Sequence, residues 1–200
     1  MSLKYFRPVG KYISICELCA LRVKKNSTQS SQKKTRRPLG RGYLQADAIQ
    51  SKITYMNWKE NLLTTDDEVR ELLRNTKTIA VLGIKPESHA GQPAHYVAKY
   101  MTNAGYEIIP VPVYYPEVTE ILGKPVYREL SKIPGEIDLL NVFRRAEDIP
   151  KHTLEIIAKK PKAVWFQLGI RNDEVAEKLA KAGIKVVQEL CLMVEHRALV

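Results

Sequence analysis

The chain has 200 residues, enough for one domain with an appendage, and a formal charge of +10 from 32 Lys/Arg against 22 Asp/Glu. The excess is local: residues 1–55 hold twelve basic side chains and two acids, Glu17 and Asp47, which leaves twenty of each sign in 56–200. A neutral 56–200 offers no electrostatic footprint to a polyanion, so nucleic acid is set aside except for weak contact through 1–55.

Residues 1–55 read as a basic extension. The run from Lys24 to Arg41, KKNSTQSSQKKTRRPLGR, is rich in Ser and Gln and nearly free of apolar residues, so burial cannot offset its ordering entropy. Three readings stand: a disordered segment, an organelle transit segment with its Arg- and Ser-rich, acid-poor composition, or an upstream extension with Met56 as the functional start. Glu17 interrupts the apolar stretch from Tyr12 to Val23, which argues against a secretory signal. Cys16 and Cys19 form a C-x-x-C with no second Cys/His pair, and half a site cannot close a tetrahedral zinc shell. Three cysteines do not make a disulfide framework. No apolar run approaches the ~20 residues of a membrane-spanning helix. Residues 56–200 are therefore expected to form one soluble domain, cytoplasmic unless 1–55 directs import into an organelle.

From Met56 onward the pattern is regular. Thr65-Asp66-Asp67-Glu68 matches a capping box and opens an amphipathic helix with Val69, Leu72 and Leu73 inward. Thr78–Gly83 is a continuous apolar run, the signature of a strand covered on both faces. A helix is predicted over Gln92–Ala104, with Pro93 in its first turn and Gly105 as its stop. Glu107–Val113 reads as a second strand whose Pro110 and Pro112 mark an edge or an exit. A connection through Gly123, with a turn of helix near Arg128–Leu130, leads to a third strand at Ile137–Phe143. Pro150 opens a helix to about Lys159, and Ala163–Leu168 is a fourth strand. Asn172 caps a helix over Asp173–Ala182, stopped by Gly183, and Ile184–Leu190 is a fifth strand. Strands alternating with helices predict an α/β fold, a doubly wound parallel sheet of about five strands.

Ligands of such sheets sit beyond the carboxyl ends of the strands. That rim gathers Gly83, Ile84, Lys85, Ser88 and His89 after strand one, and Val111, Pro112 and Val113 with Tyr114-Tyr115 after strand two. Asn141, Val142, Phe143, Arg144 and Arg145 end strand three, and Gln167, Leu168 and Gly169 end strand four. Lys85, His89, Arg144 and Arg145 around a helix N-terminus suit phosphate by charge and by dipole. A dinucleotide site would want G-x-G-x-x-G and an acid ending strand two. Here no glycine follows Gly83 until Gly91, and strand two ends in Val111-Pro112-Val113, an apolar shelf fit for an adenine face. An NAD(P)-dependent oxidoreductase or NAD(P)-binding protein is thus the alternative reading, with NADP less excluded because Lys85 suits a 2′-phosphate.

The stretches KTIAVLGIKPE, AHYVAKYMTNAGYEIIPV, IDLLNVFRR, AVWFQLGIRNDEVAEKLAKAGIKVV and CLMVEH occur in this order. Together they resemble the stand-alone CoA-binding proteins, relatives of the N-terminal domain of the succinyl-CoA synthetase alpha subunit. The resemblance implies a Rossmann-like fold of five parallel strands. It also implies coenzyme A or an acyl-CoA held by the loop after strand one, the shelf after strand two and the NVFRR tip of strand three. The chain reads PVPV at Pro110–Val113 where such proteins commonly carry PVNP.

The expected ligand contacts are Gly83, Ile84, Lys85, Ser88, His95, Val111, Pro112, Val113, Val142, Phe143, Arg144, Arg145, Gln167 and Gly169. His95 stands near the loop, either capping a phosphate or packing against Tyr96 or Tyr106. One of Arg144 and Arg145 is expected to face the ligand, since neighbours on a strand point oppositely. Trp165 is expected in the core beneath the site. Cys191 and His196, five residues apart along an extended chain, would face opposite ways, so they form no nucleophile–base pair, and Cys191 is expected to be a small core residue. No catalytic set and no metal site emerge.

Overall fold

The computed structural model describes residues 57–200, so the expectations for 1–55 lie outside the described residues. After a 3-10 turn at Trp58–Asn61, helix α1 spans Asp66–Asn75. The predicted capping box is formed: Thr65 accepts from the Glu68 N–H while the Glu68 carboxylate takes the Thr65 N–H at 3.0 Å. Strand β1 (Thr78–Leu82) leads through a loop into α2 (Pro93–Asn103), with Pro at its first position, and then into β2 (Glu107–Val111). A small hairpin follows, β3 (Glu120–Ile121) against β4 (Lys124–Pro125). It was not read from the sequence. Its two-residue turn, Leu122-Gly123, has φ of +55° and +68°, the left-handed pair that matches strand twist.

The second half runs β5 (Leu139–Val142), a 3-10 turn, α3 (Thr153–Lys159), β6 (Ala163–Phe166), α4 (Asp173–Lys181), β7 (Lys185–Val187) and α5 (Leu192–Leu199). The five long strands form one parallel sheet in the order β2-β1-β5-β6-β7. This is the expected Rossmann-like, doubly wound α/β sheet. Its strand order reverses between β1 and β5, and that is where a crevice opens.

Period-two alternation explains the unbroken apolar runs. Ile79, Val81, Leu139, Ala163 and Trp165 face one core with α1, α2 and α5. Ala80, Leu82, Leu140, Val142, Val164 and Phe166 face the other, with α3 and α4. Both faces are covered, so every strand position can be apolar. Pro110 is tolerated because β2 is an edge strand. Its carbonyl points outward to the Tyr127 N–H at 2.9 Å, and its missing N–H points the same way. The β7 edge is covered in turn by the chain before α1, where the Leu63 N–H donates to Val186 at 2.9 Å.

Two expectations about the C-terminus are corrected. The fifth strand ends at Val187, and Glu189 turns with φ +61°. Cys191 is then the N-cap of a helix, not the end of a strand, and it is half-buried. His196 lies inside α5, where its Nδ1 meets the Tyr100 hydroxyl at 3.0 Å, so its partner is a tyrosine and the extended-chain argument does not apply.

Candidate functional site

The turn that ends β1 builds the site. Gly83 has φ +87°, and a Cβ placed there would stand 2.5 Å from the Phe143 carbonyl oxygen. Only glycine lets the two loops on either side of the strand-order reversal approach this closely. Gly83 N–H donates to Val111 O at 2.8 Å, and Phe143 N–H donates to Leu82 O at 2.9 Å, which locks the ends of β1, β2 and β5 together. The loop then runs to α2. Buried His95 on that helix, 2% exposed, places Nδ1 2.9 Å from the Lys85 carbonyl and so fixes the loop backbone.

Gly83, Lys85, Phe143, Arg144 and Arg145 meet in one open recess of about 290 Å³, joined by Gln92, Pro93, Ala94 and Ile170. The recess lies against the N-terminus of α2, whose Gln92 cap makes no side-chain bond to the helix. Instead the Gln92 amide oxygen accepts from the Lys85 ammonium. Pro93 has no N–H, and the Gln92 and His95 N–H groups are bonded to the His89 and Gln92 carbonyls. The Ala94 N–H and the positive end of the helix dipole are therefore what share this face with the basic side chains, which favours an anion.

The two arginines have different surroundings. The Arg144 side chain is 10% exposed, bonds Asp148 at 3.3 Å and runs from Gly83 to the Tyr114 ring, with its guanidinium 5.3 Å from the ring centroid. Arg145 is 81% exposed, with Glu147 at 3.9 Å. The field around them is positive enough to act on its neighbours. Burial, and then the Arg144 charge, hold His152 below its ordinary pKa. A hydrogen bond from Lys151 foremost lowers the Asp148 carboxyl, with the charges of Lys151, Arg144 and Arg145 adding to it.

Hydrogen-bond accounting marks the same place. Among the described residues, two buried side-chain atoms lack a partner, Asn141 Nδ2 and Arg144 Nε, and both belong to the carboxyl end of β5. Gln167, 4% exposed, explains the first. Its oxygen accepts the Leu192 N–H at 3.3 Å, so its NH₂ must face Asn141 Oδ1, at 2.8 Å, which leaves the Asn141 NH₂ facing away. A buried donor without an acceptor costs about 1–3 kcal/mol.

The remaining sequence-predicted residues are not in the recess lining. Ile84, Val111 and Val142 are core. Pro112 is buried beside Val113, which is 38% exposed, so the shelf presents Val113 to solvent. Ser88 is exposed and bonds His89 Nδ1 at 3.0 Å. Gly169 is exposed with φ +78°. Trp165 is fully buried as expected, its indole N–H on Leu190 O at 2.7 Å. Gln92, Pro93, Ala94 and Ile170 were not selected from the sequence. The Pro at the helix start was the signal that could have found the first three.

A parallel sheet with a phosphate-suited recess at its strand-order reversal defines a nucleotide-binding α/β domain. Residues 77–197 match the CoA binding domain family, and the chain belongs to it. YneT of Bacillus subtilis strain 168 is 38% identical over 129 residues, 64% of this chain and 92% of YneT. Two solved structures are similar. The Thermus thermophilus protein cell-free ID.343 is 39% identical with a TM-score of 0.63, covering 68% of this chain and 100% of that one. A hypothetical protein from Pyrococcus horikoshii OT3 is 33% identical with a TM-score of 0.61, covering 68% and 92%. Among the described residues no helix is long and apolar enough to cross a membrane, and no group of three metal-ligating side chains is present.

Proposed function

We propose that this domain binds coenzyme A or an acyl-CoA at the carboxyl edge of its sheet and carries out no chemistry of its own there. The phosphates sit in the recess of Gly83, Lys85, Arg144 and Arg145, the adenine lies toward the Pro112–Val113 shelf, and the pantetheine arm leads away from the recess. The observation that carries this reading is the Arg144 Nε, buried beside the recess without an acceptor. An anionic oxygen supplies that acceptor and gains a charge-assisted bond. Arg145, loosely held and exposed, is the mobile partner of the same phosphates. Family membership supports CoA over NAD(P), and so does the loop after β1, where no glycine follows Gly83 until Gly91 and the three-glycine dinucleotide spacing is missing.

Calorimetric titration with CoA, acetyl-CoA, NAD and NADP tests the reading. CoA or acetyl-CoA is expected to bind in the micromolar range or tighter, more than about 8 kcal/mol in binding free energy. Binding of NAD or NADP with no heat from CoA at millimolar concentration would overturn it. For residues 1–55 we propose a segment separable from ligand binding. A chain beginning at Met56 is expected to keep its CoA affinity.

A further inference from the structure

Resting on the CoA reading, we propose that Tyr114 is the platform on which the ligand's purine ring stacks. Tyr114 is a large aromatic side chain left 61% exposed at the carboxyl edge, immediately after the buried Pro112 and the half-open Val113. One side of its ring carries the Arg144 guanidinium, centred 5.3 Å from the centroid, and that exposure leaves the other face to solvent. Arg144 also lines the phosphate recess. A single arginine therefore ties the place for a phosphate to the place for a ring.

The platform is rigid, and rigidity is what makes an exposed aromatic useful for recognition. The Arg128 guanidinium donates to four carbonyls of the loop, those of Tyr114, Tyr115, Pro116 and Val118. Tyr115, held at φ +65°, turns its ring onto His89, with centroids 5.1 Å apart and its hydroxyl 3.3 Å from Nε2. The loop after β2 is thereby braced on the loop after β1 by Tyr115 and on the loop after β5 by Tyr114. The backbone is set before any ligand arrives, so stacking a base orders little. Base stacking on a protein aromatic contributes about 1–3 kcal/mol by alanine substitution.

The test separates the base from the rest of the ligand. Tyr114→Ala and Tyr114→Phe are titrated with CoA, with adenosine 3′,5′-bisphosphate, which keeps the base, and with 4′-phosphopantetheine, which lacks it. Tyr114→Ala is expected to weaken CoA and the bisphosphate alike by about five- to hundredfold and to leave phosphopantetheine unchanged. Tyr114→Phe should bind all three as the parent does, because the ring and not the hydroxyl acts. An unchanged CoA affinity in Tyr114→Ala overturns the platform. So does an equal loss for phosphopantetheine, which would mean that the tyrosine acts only by steadying Arg144. If the unaltered chain binds NADP and not CoA, the functional reading falls while the platform is judged separately. Loss of NADP affinity in Tyr114→Ala with nicotinamide mononucleotide unaffected then supports it, and equal losses or none overturn it.

Discussion

The two ends of the sheet each carry a polar hub, and the hubs differ in what they leave unpaired. At the amino end, Asp138 accepts the N–H groups of Lys77 and Thr78 at 2.9 and 3.0 Å, the Thr78 hydroxyl at 3.2 Å and the Lys162 ammonium at 2.7 Å. Burial would raise its pKa, but Lys162 and the two backbone donors outweigh that and bring it down to about 2. At the carboxyl end, Arg144 has one carboxylate at 3.3 Å and a buried Nε with no acceptor. The larger recess, about 580 Å³, is at the amino end, lined by Lys159, Lys160, Lys162 and Lys185. Yet Lys159 is tied to the Ile133 and Gly135 carbonyls, and Lys162 to Asp138. Under the proposed reading, neither volume nor lysine content marks the binding end of the sheet; the unspent hydrogen-bonding capacity of buried groups does.

The contrast can be broken at either end. Gly83→Ala carries the largest expected effect. The added Cβ meets the Phe143 carbonyl at 2.5 Å in a left-handed backbone, so unfolding free energy should fall by about 3 kcal/mol and CoA binding should be lost with it. Denaturant unfolding reads the first and titration the second. A Gly83→Ala chain as stable as the parent would show that the loops after β1 and β5 need not approach so closely.

Asp138→Asn tests the amino-end hub. Its folded pKa lies below the unfolded value of 3.8, so its contribution is present above about pH 4 and is lost as pH falls through about 2. That amounts to about 2 kcal/mol. Across the window the parent's unfolding free energy should drop by about this much more than that of Asp138→Asn, which is already weaker at pH 7 and keeps the decline due to the other lowered carboxylates, Asp148 among them. CoA affinity at pH 7 should be unchanged, since the residue is at the far end of the sheet.

Arg145→Ala should behave in the opposite way. With its side chain 81% exposed, it should alter stability by less than about 0.5 kcal/mol while weakening CoA about tenfold, the worth of one charge-assisted bond. Equal affinity in the two proteins would assign the phosphate to Arg144 alone. The smallest effect belongs to His196, whose pKa is lowered by burial. A histidine depressed in the folded state contributes stability above its unfolded pKa, near 6.5, and loses it as pH falls below. His196→Phe should therefore lessen the decline in melting temperature between pH 7 and 5, leaving the share due to His152, without touching CoA affinity.

Sequence reading succeeded where the signal is local. The Thr65–Glu68 capping box, Pro93 at the start of α2 and the Asn172 cap, which takes the Val175 N–H at 3.0 Å, are each contained within four residues. The apolar runs at Thr78–Leu82 and Ala163–Phe166 needed only the rule that doubly covered strands are continuous. It failed at the C-terminus because α5 buries only Leu192 fully and shows a weak apolar stripe, so the segment resembled a continuing strand. The β3–β4 hairpin escaped because each strand has two residues, too few for any period to appear.

By itself, the sequence determined the parallel sheet, the helices α1 to α4, the single glycine at the end of β1 and the family, since these follow from caps, periodicity and collinear stretches. Tertiary structure alone decided which arginine is buried and which is free, and that Tyr114 is braced through Arg128 and stacked on Arg144. Those relations join loops 14 to 30 residues apart. Only the packing of the strand ends brings such loops together, and no local pattern records which donor is left without a partner.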